Sequence, residues 1–349
     1  MRPDSRIYVA GHRGLVGSAI ERQLRSAGFT RILTRTRSEL DLRDRAAVRR
    51  FFEQERPEYV FLAAAKVGGI LANDTFPADF IAENLAIQGN VIEEAHASGV
   101  HRLLFLGSSC IYPRDCPQPI REEYLLTGPL EPTNRPYAIA KIAGIEMCSA
   151  FNRQHGARFL AVMPTNLYGP GDNYDLGTSH VLPALMRKMH EARERGEGEV
   201  VIWGTGEPRR EFLYSDDMAG ACLMLMRLPD GEFDALIDPY PPLINIGSGT
   251  DIRIRDLARV IAAAVGFDGN FRFDTSKPDG TPRKLLDISR LSRLGWRPKW
   301  ELEAGIKRTY EAFLAASPDA AGRVVPVESG KDFSGNQGNL GFGHAGPER

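Results

Sequence analysis

Residues 7–17 read Ile7-Tyr-Val-Ala-Gly11-His-Arg-Gly14-Leu-Val-Gly17. Four apolar residues run into glycines at 11, 14 and 17, and Val16 to Ser26 continues with helical spacing of its apolar residues. A strand, a glycine turn and a helix in this order let a backbone approach a pyrophosphate closely while free helix N–H groups face it. The stretch predicts a dinucleotide-binding turn, with Gly11, His12, Arg13, Gly14, Leu15, Val16 and Gly17 around the phosphates. A glycine triplet by itself would also suit a plain tight turn. The strand before it and the helix after it favour the phosphate reading.

The same alternation continues outward. Arg31–Thr34, Tyr59–Ala63, Leu103–Leu106 and Phe159–Met163 are short apolar runs separated by helical patterns, including Phe80–His96 and Tyr137–Gln154. Continuous apolar strands between helices predict an α/β protein: a Rossmann-type doubly wound parallel sheet, covered on both faces, with ligands beyond the carboxyl ends of its strands. From about residue 170, Gly and Pro punctuate the chain at 168–172, 204–208 and 278–282, which predicts a smaller C-terminal lobe with loops over a cleft. The expected division is 1–170 for the dinucleotide domain (its sheet completed by later segments), 171–320 mainly for the second lobe, and 321–349 for a disordered tail. That tail is Gly-rich and nearly free of aliphatic residues from Ser329.

Composition narrows the function. A net charge of −1 provides no field to draw the chain to nucleic acid or an anionic membrane, so neither is expected as a partner. No run of about 18 apolar residues occurs and the first residues lack a signal-peptide core, so a cytoplasmic location is expected. Cys110, Cys116, Cys148 and Cys222 match neither a zinc pattern nor a C-x-x-C pair, and the seven histidines form no H-E-x-x-H, so no metal site is expected. Cys148 and Cys222 fall in apolar helical patterns and read as core; Cys116, in Arg-Asp-Cys-Pro, reads as an exposed loop thiol.

The charge after the second strand bears on the cofactor. NAD enzymes place an acid there for the ribose hydroxyls. This chain has Thr34-Arg35-Thr36-Arg37, whose guanidiniums suit the extra 2′-phosphate of NADP, and Arg13 could add to them. Glu39 and Asp41 close by keep NAD open as an alternative.

Tyr137 and Lys141 are four residues apart in a helical pattern and so share a face. The lysine would lower the pKa of the phenol, and a phenol so tuned can exchange a proton with a carbonyl oxygen while hydride moves. Ser108, after the fourth strand, would hydrogen-bond the same oxygen; its bland reading is a loop cap. Cys110 follows in Gly107-Ser-Ser-Cys-Ile-Tyr-Pro113 and reads either as a small packing residue or as a working thiol. His180, before a helix, is either a capping-region residue or an acid–base group. Trp203 suits core and nucleotide contact about equally. Lys188, Arg210 and Lys284 could meet a diphosphate, whereas Arg283 reads as a surface ion pair. Asp216 and Asp217 read as a helix start, one of them as N-cap.

Taken together, the G-x-x-G-x-x-G loop, the serine and the Tyr-x-x-x-Lys pair resemble the extended short-chain dehydrogenase/reductase family over about residues 5–315. The stretches GHRGLVGSAI, AAAKVGGILAN, GSSCIYP, EPTNRPYAIAKIAG, MPTNLYGPGDN, SHVLPALMRK, REFLYSDDMA and SKPDGTPRKLLD are similar to its bifunctional epimerase-reductases. The resemblance implies NADPH-dependent 3,5-epimerisation and 4-reduction of GDP-4-keto-6-deoxy-D-mannose, a GDP-sugar partner and a homodimer built on the two long helices. It places the catalytic groups at Ser108, Cys110, Tyr137, Lys141 and His180. It extends the NADP contacts to Arg37, Asp41, Leu42, Leu106, Gly107, Ser108, Ser109, Lys141, Pro164, Thr165, Asn166, Leu167 and His180. Substrate contacts fall on Lys188, Trp203, Arg210, Asp279 and Lys284; Lys188 stands where the family pattern leads one to expect arginine, and a lysine there keeps the charge but loses the bidentate fork. A 4,6-dehydratase would need an Asp-Glu pair where this chain has Ser109 and Cys110. An NAD-dependent sugar-nucleotide epimerase without net redox is the second reading, and Cys110 with the Arg35/Arg37 pair argues against it.

Overall fold

The computed structural model describes residues 1–277 and 279–316; the tail reading from residue 321 lies outside the described residues. The first half runs β1 (Ile7–Ala10), α1 (Leu15–Ser26), β2 (Ile32–Leu33), α2 (Arg45–Glu55), β3 (Tyr59–Leu62), α3 (Ile70–Thr75), α4 (Pro77–Ala97), β4 (Arg102–Leu106), α5 (Arg135–His155) and β5 (Phe159–Pro164). It continues with β6 (Asn166–Tyr168), α6 (Val181–Arg195), β7 (Glu199–Trp203), β8 (Arg209–Tyr214), α7 (Ser215–Arg227) and α8 (Asp230–Ile237). The remainder is β9 (Leu243–Ile246), β10 (Asp251–Arg253), α9 (Ile254–Val265), β11 (Asn270–Asp274), β12 (Arg283–Lys284), α10 (Ser289–Arg293) and α11 (Leu302–Ala315).

Six parallel strands form the main sheet in the order β2-β1-β3-β4-β5-β9. Every residue of β1, β3, β4 and β9 is buried, which is why β1, β3 and Leu103–Leu106 of β4 read as apolar runs; Arg102 in β4 and Asn245 in β9 are buried polar exceptions. One apolar core, with Phe51, Phe52, Val91, Ile145 and Cys148, fills one group of contacts around the sheet; a second, with Ile20, Leu24, Met218, Cys222 and Phe233, fills another. Cys148 and Cys222 are fully buried core residues. Cys116 differs from its reading: it is half-buried and packs against the first core, because its loop folds back over the strand ends rather than out into solvent. The edge strand β2 is only two residues long and half-buried, shorter than its apolar run, since it pairs on one side alone.

Register brings the site together. Ala10 pairs with Leu62, Leu62 with Phe105, and Leu106 with Val162, so the carboxyl ends of β1, β3, β4 and β5 line up at one edge. The chain leaves β1 for β2 on one side and returns to β3 on the other, and a ligand crevice opens at such a switch point. Helices α4 and α5 start earlier than their apolar patterns because Pro77 and Pro136 occupy first-turn positions, where a missing N–H is no loss. Gly144 lets α5 lie directly on β4: a Cβ there would overlap the Phe105 ring.

The second lobe is built on β8, which pairs with β6 and β12 in parallel and with β10 antiparallel, beside a β7–β11 pair. A third core, with Met186, Met189, Leu257, Ile261 and Tyr310, holds α6, α9 and α11 together. Glu211 ties this lobe to the first. Its fully buried carboxylate accepts from Gly249 N (2.7 Å) and Leu286 N (3.0 Å). Its carbonyl accepts from Thr165 Oγ1 (3.1 Å) and Asn166 Nδ2 (2.9 Å). Asp216 and Asp217 are not N-caps: Tyr214 precedes the helix and neither aspartate caps it. Asp216 instead meets Arg22 of α1 at 2.6 Å, and Asp217 accepts from Lys299 N and Trp300 N, so both side chains hold tertiary contacts. Among the described residues no helix is long and apolar enough to cross a membrane.

Candidate active site

The glycine turn sits at the switch point. Gly11 has φ +84°, which favours glycine, and a Cβ on Gly17 would overlap the Gly11 carbonyl, so helix and turn can approach only with glycine there. Gly14 is the N-cap of α1, no side chain caps it, and the first turn carries no acid. The free N–H groups and positive helix end therefore favour an anion. His12 Nδ1 is buried without a hydrogen-bond partner, and such an atom costs free energy unless a ligand supplies the partner. These features fit a dinucleotide pyrophosphate.

The adenosine end is more selective than the charge pattern alone implies. Arg35 turns away onto α2: it meets Glu55 at 2.5 Å and lies 5.4 Å from the Phe51 ring centroid. It therefore belongs to the packing of β2 on α2. Arg37 and Arg13 remain exposed. Arg37 is 4.0 Å from Asp41 and 3.8 Å from Glu83, while Asp41 is held more closely by Arg43 at 2.6 Å. Leu42 is buried in the first core, and its carbonyl accepts from Asn90 Nδ2 at 2.9 Å.

Gly107, Ser108, Ser109 and Cys110 follow β4 directly, with Ser109–Ile111 forming one turn of 3₁₀ helix against α5. Tyr137 and Lys141 lie in the first two turns of α5. Phe80 packs edge-on to the Tyr137 ring, with centroids 6.1 Å apart at 88°. Lys141 Nζ donates to the Leu106 carbonyl at 2.8 Å and lies 5.9 Å from the Tyr137 ring centroid. Burial pushes this lysine down to about 8, opposed by the charge of a Cys110 thiolate.

One expectation fails here. The Tyr137 phenol is pushed well above its ordinary value by burial and the neighbouring Cys110, against a lowering hydrogen bond from Ser108. Lys141 does not bring it down, because its ammonium is directed at the strand carbonyl. Tyr137 is thus held as the protonated phenol, the form that can give a proton. Cys110 is 6% exposed, and its thiol is raised by burial, opposed by Lys284, the Ser108 hydroxyl and Lys141.

His180 is the N-cap residue of α6, yet its side chain makes no capping bond. It is exposed by area but surrounded by protein mass, as a cleft wall is, so burial lowers its imidazole and Lys284 lowers it further. The loop before it docks onto α3 through Gly69 N to the Thr178 carbonyl at 3.0 Å. Thr165 and Asn166 spend their side chains on Glu211, and Leu167 packs on the second core; any cofactor contact there falls to the backbone.

At the far end of the cleft Trp203 is 62% exposed, so it is not a core residue. The ammonium of Lys188 lies 5.4 Å and that of Lys277 5.6 Å from its ring centroid. Lys277 was missed by sequence reading, although it lies in the quoted stretch SKPDGTPRKLLD; only Trp203 marks its place. Burial lowers Lys188 and Arg210, the latter opposed by Asp279. Arg210 donates to the Thr281 carbonyl at 2.6 Å, and Asp279 accepts from Thr205 N (2.9 Å) and Thr205 Oγ1 (2.7 Å), so these residues fix the loops on either side of Trp203. Arg283 makes the ion pair expected of it, with Asp251, whose side chain is itself nearly buried and also held by Arg209. Among the described residues no group of three or more His, Cys, Asp or Glu side chains could hold a metal ion.

The loop carrying His180 contains a buried carboxyl that titrates near neutrality. Asp172 is pushed up from 3.8 to about 7 by burial, opposed by Asn173 N–H, and its Oδ2 has no partner. A raised folded-state pKa contributes stability that is complete below the unfolded value and lost as pH rises through the folded one, here from about 4 to about 7. Asp172→Asn is therefore expected to raise Tm at pH 8 by on the order of 5 °C and to change it little at pH 4. Equal shifts at both pH values, read by calorimetry, would refute this.

The chain is similar to known proteins over most of its length. Residues 7–247 match the model of the NAD dependent epimerase/dehydratase family. The chain is 57% identical over 312 residues to GDP-L-fucose synthase 1 of Arabidopsis thaliana, covering 89% of this chain and 93% of that one. It is 55% identical over 309 residues to GDP-L-fucose synthase of Escherichia coli (strain K12), covering 88% and 96%. Among solved structures, the GDP-mannoheptose C4 reductase MlghC of Campylobacter jejuni, with NADP bound, superposes with a TM-score of 0.83 at 42% identity, covering 90% of this chain and 99% of that one.

Proposed function

The chain belongs to the NAD dependent epimerase/dehydratase family, and from that premise we propose that it converts GDP-4-keto-6-deoxy-D-mannose to GDP-L-fucose with NADPH, inverting C3 and C5 and reducing C4. The observation that carries this reading is Cys110. A thiol stands in the reductase centre, within electrostatic reach of the Tyr137 phenol, Lys141 and Lys284, and reduction alone has no use for it.

The C4 ketone acidifies the hydrogens on C3 and C5. Cys110, as thiolate, takes a proton from one of these carbons: the C–H bond breaks, an S–H bond forms, and the electron pair enters an enolate on the substrate. His180 returns a proton to the opposite face, which inverts the centre, and the two groups then restore their protonation states. NADPH, bound on the glycine turn, supplies the hydride for C4. Tyr137 gives its proton to the C4 oxygen, Ser108 hydrogen-bonds that oxygen, and Lys141 orients the nicotinamide ribose and replenishes the proton. The remaining predicted contacts on the glycine turn, Arg37, Asp41 and the ends of β4 and β5 hold the cofactor.

Lys188, Arg210 and Lys277 suit the diphosphate, and Trp203 suits the base face. Trp203→Ala is expected to raise KM for the GDP-sugar about tenfold with kcat nearly unchanged, since stacking acts equally on ground and transition states. A loss in kcat alone would remove Trp203 from the binding site.

The setting we propose is the cytoplasm and a homodimer formed through α4 and α5; the exposed Leu85 and Ile139 on these helices support that interface. The boundary between cofactor and substrate lobes is placed near residue 170. The test of the activity is direct: with the keto-sugar nucleotide and NADPH, nicotinamide absorbance falls and GDP-L-fucose accumulates. Epimerised sugar without NADPH consumption would instead favour the redox-neutral epimerase.

A further inference from the structure

Lys284 is held beside the catalytic turn by more than its own strand. Its neighbour Leu285 receives Ile120 N on its carbonyl at 2.8 Å and donates its own N–H to Gln118 Oε1 at 2.8 Å. Leu286 bridges Ile120 in parallel and donates to the buried Glu211 carboxylate at 3.0 Å. The loop that begins at Cys110 and the strand that carries Lys284 are thus sewn into one ladder, anchored from below. Across β8 the partner of Lys284 is Arg210.

No carboxylate forms an ion pair with Lys284 among the described residues. Burial lowers Lys284 itself, and the charged and titratable groups that face it are Cys110, His180, Arg210, Cys116 and Glu131. Glu131 is occupied, accepting from Thr133 N (3.1 Å), Thr133 Oγ1 (2.5 Å) and Asn134 N (3.2 Å). Facing Cys110 itself are Lys284, Lys141, Tyr137 and the Ser108 hydroxyl. Lys141 has a strand carbonyl as its partner. Arg210 gives its Nη1 to the backbone carbonyls of Arg209 and Thr281.

We propose that Lys284 is a positioning residue for epimerisation: its ammonium is the counter-charge that lets Cys110 exist as thiolate, rather than only a ligand for the substrate diphosphate. This inference rests on the functional reading above. It explains how a buried thiol can act as a base, since an ionised sulfur needs a fixed positive partner where water cannot reach it. Lys284 also disfavours the imidazolium of His180. It therefore favours the charged sulfur that the first step requires and, at His180, opposes the imidazolium that returns the proton.

The test reads the sulfur without substrate, so that no diphosphate is present. Thiolate ultraviolet absorbance is titrated against pH, with the Cys110→Ser protein as blank to isolate Cys110, in the full-length NADPH complex. Lys284→Met is expected to move the Cys110 midpoint upward by about one pH unit or more, a tenfold change in proton affinity. Lys284→Arg should keep it near the parent value. In parallel, Lys284→Met should slow solvent deuterium entry at C3 and C5 about tenfold or more while KM changes little. Lys284→Gln serves if the methionine variant does not bind NADPH. An unmoved midpoint together with a raised KM would overturn the inference and leave Lys284 as a phosphate ligand. If GDP-L-fucose still forms in that case, only the inference fails; if the parent enzyme never makes it, the functional reading fails independently of the titration.

Discussion

Tyr137→Phe lowers kcat for NADPH-dependent reduction by about 10³-fold and leaves NADPH affinity within about twofold. The substitution removes one oxygen and little else. The ring keeps its edge contact with Phe80, and the first turn of α5 keeps its proline start. Because the phenol is held protonated by burial and by Cys110, its role is to donate, and the ketone oxygen loses its proton source at the moment hydride arrives. Stopped-flow absorbance of the nicotinamide separates this step from binding. A fall of less than about tenfold would mean that water or another side chain protonates C4, and Tyr137 would become an orienting residue. The pH profile adds a second check. Lys141, at about 8, is the group in this pair that titrates in the accessible range, so reduction is expected to weaken as pH rises past that value.

The second large effect is on stereochemistry. Cys110→Ser abolishes inversion, slowing solvent deuterium entry at C3 and C5 by about 10³-fold, while reduction continues and yields a 6-deoxy sugar of unchanged configuration at both centres. Serine fits the same space, but its hydroxyl is far too weak an acid to be present as an anion, whatever Lys284 contributes. Nuclear magnetic resonance of the product distinguishes the two sugars directly. Product of normal configuration formed at the normal rate would return Cys110 to the role of a packing residue, which its low exposure also suits.

The sequence resolved those parts of the fold in which local pattern and tertiary burial agree. β1, β3, β4 and β5 are legible because a strand covered on both faces is apolar throughout, and the Gly11–Gly17 turn because its glycines are required by close approach. Side-chain direction was less legible. Arg35 looked like a phosphate ligand by position, yet Glu55 and Phe51 on α2 capture it. Lys141 shares a face with Tyr137, but the Leu106 carbonyl, brought in by the sheet, takes its ammonium. Asp217 looked like a cap and instead holds a segment 82 residues away. Lys277 depends on how a loop after β11 meets β7, and Lys284 on how the second lobe meets the first, and no local periodicity encodes either.

Gly144 carries a consequence of a different kind. The contact between its bare backbone and Phe105 sets the height of α5 above β4, and Lys141 reaches Leu106 from one turn away on that helix. A methyl group at 144 would lift the helix as a rigid lever, and the displacement would be felt at its tip, where Tyr137 sits. Position 144 should therefore tolerate change very differently under two kinds of selection. Variants that still fold could be recovered by screening for soluble protein, whereas a screen for turnover would admit glycine almost alone.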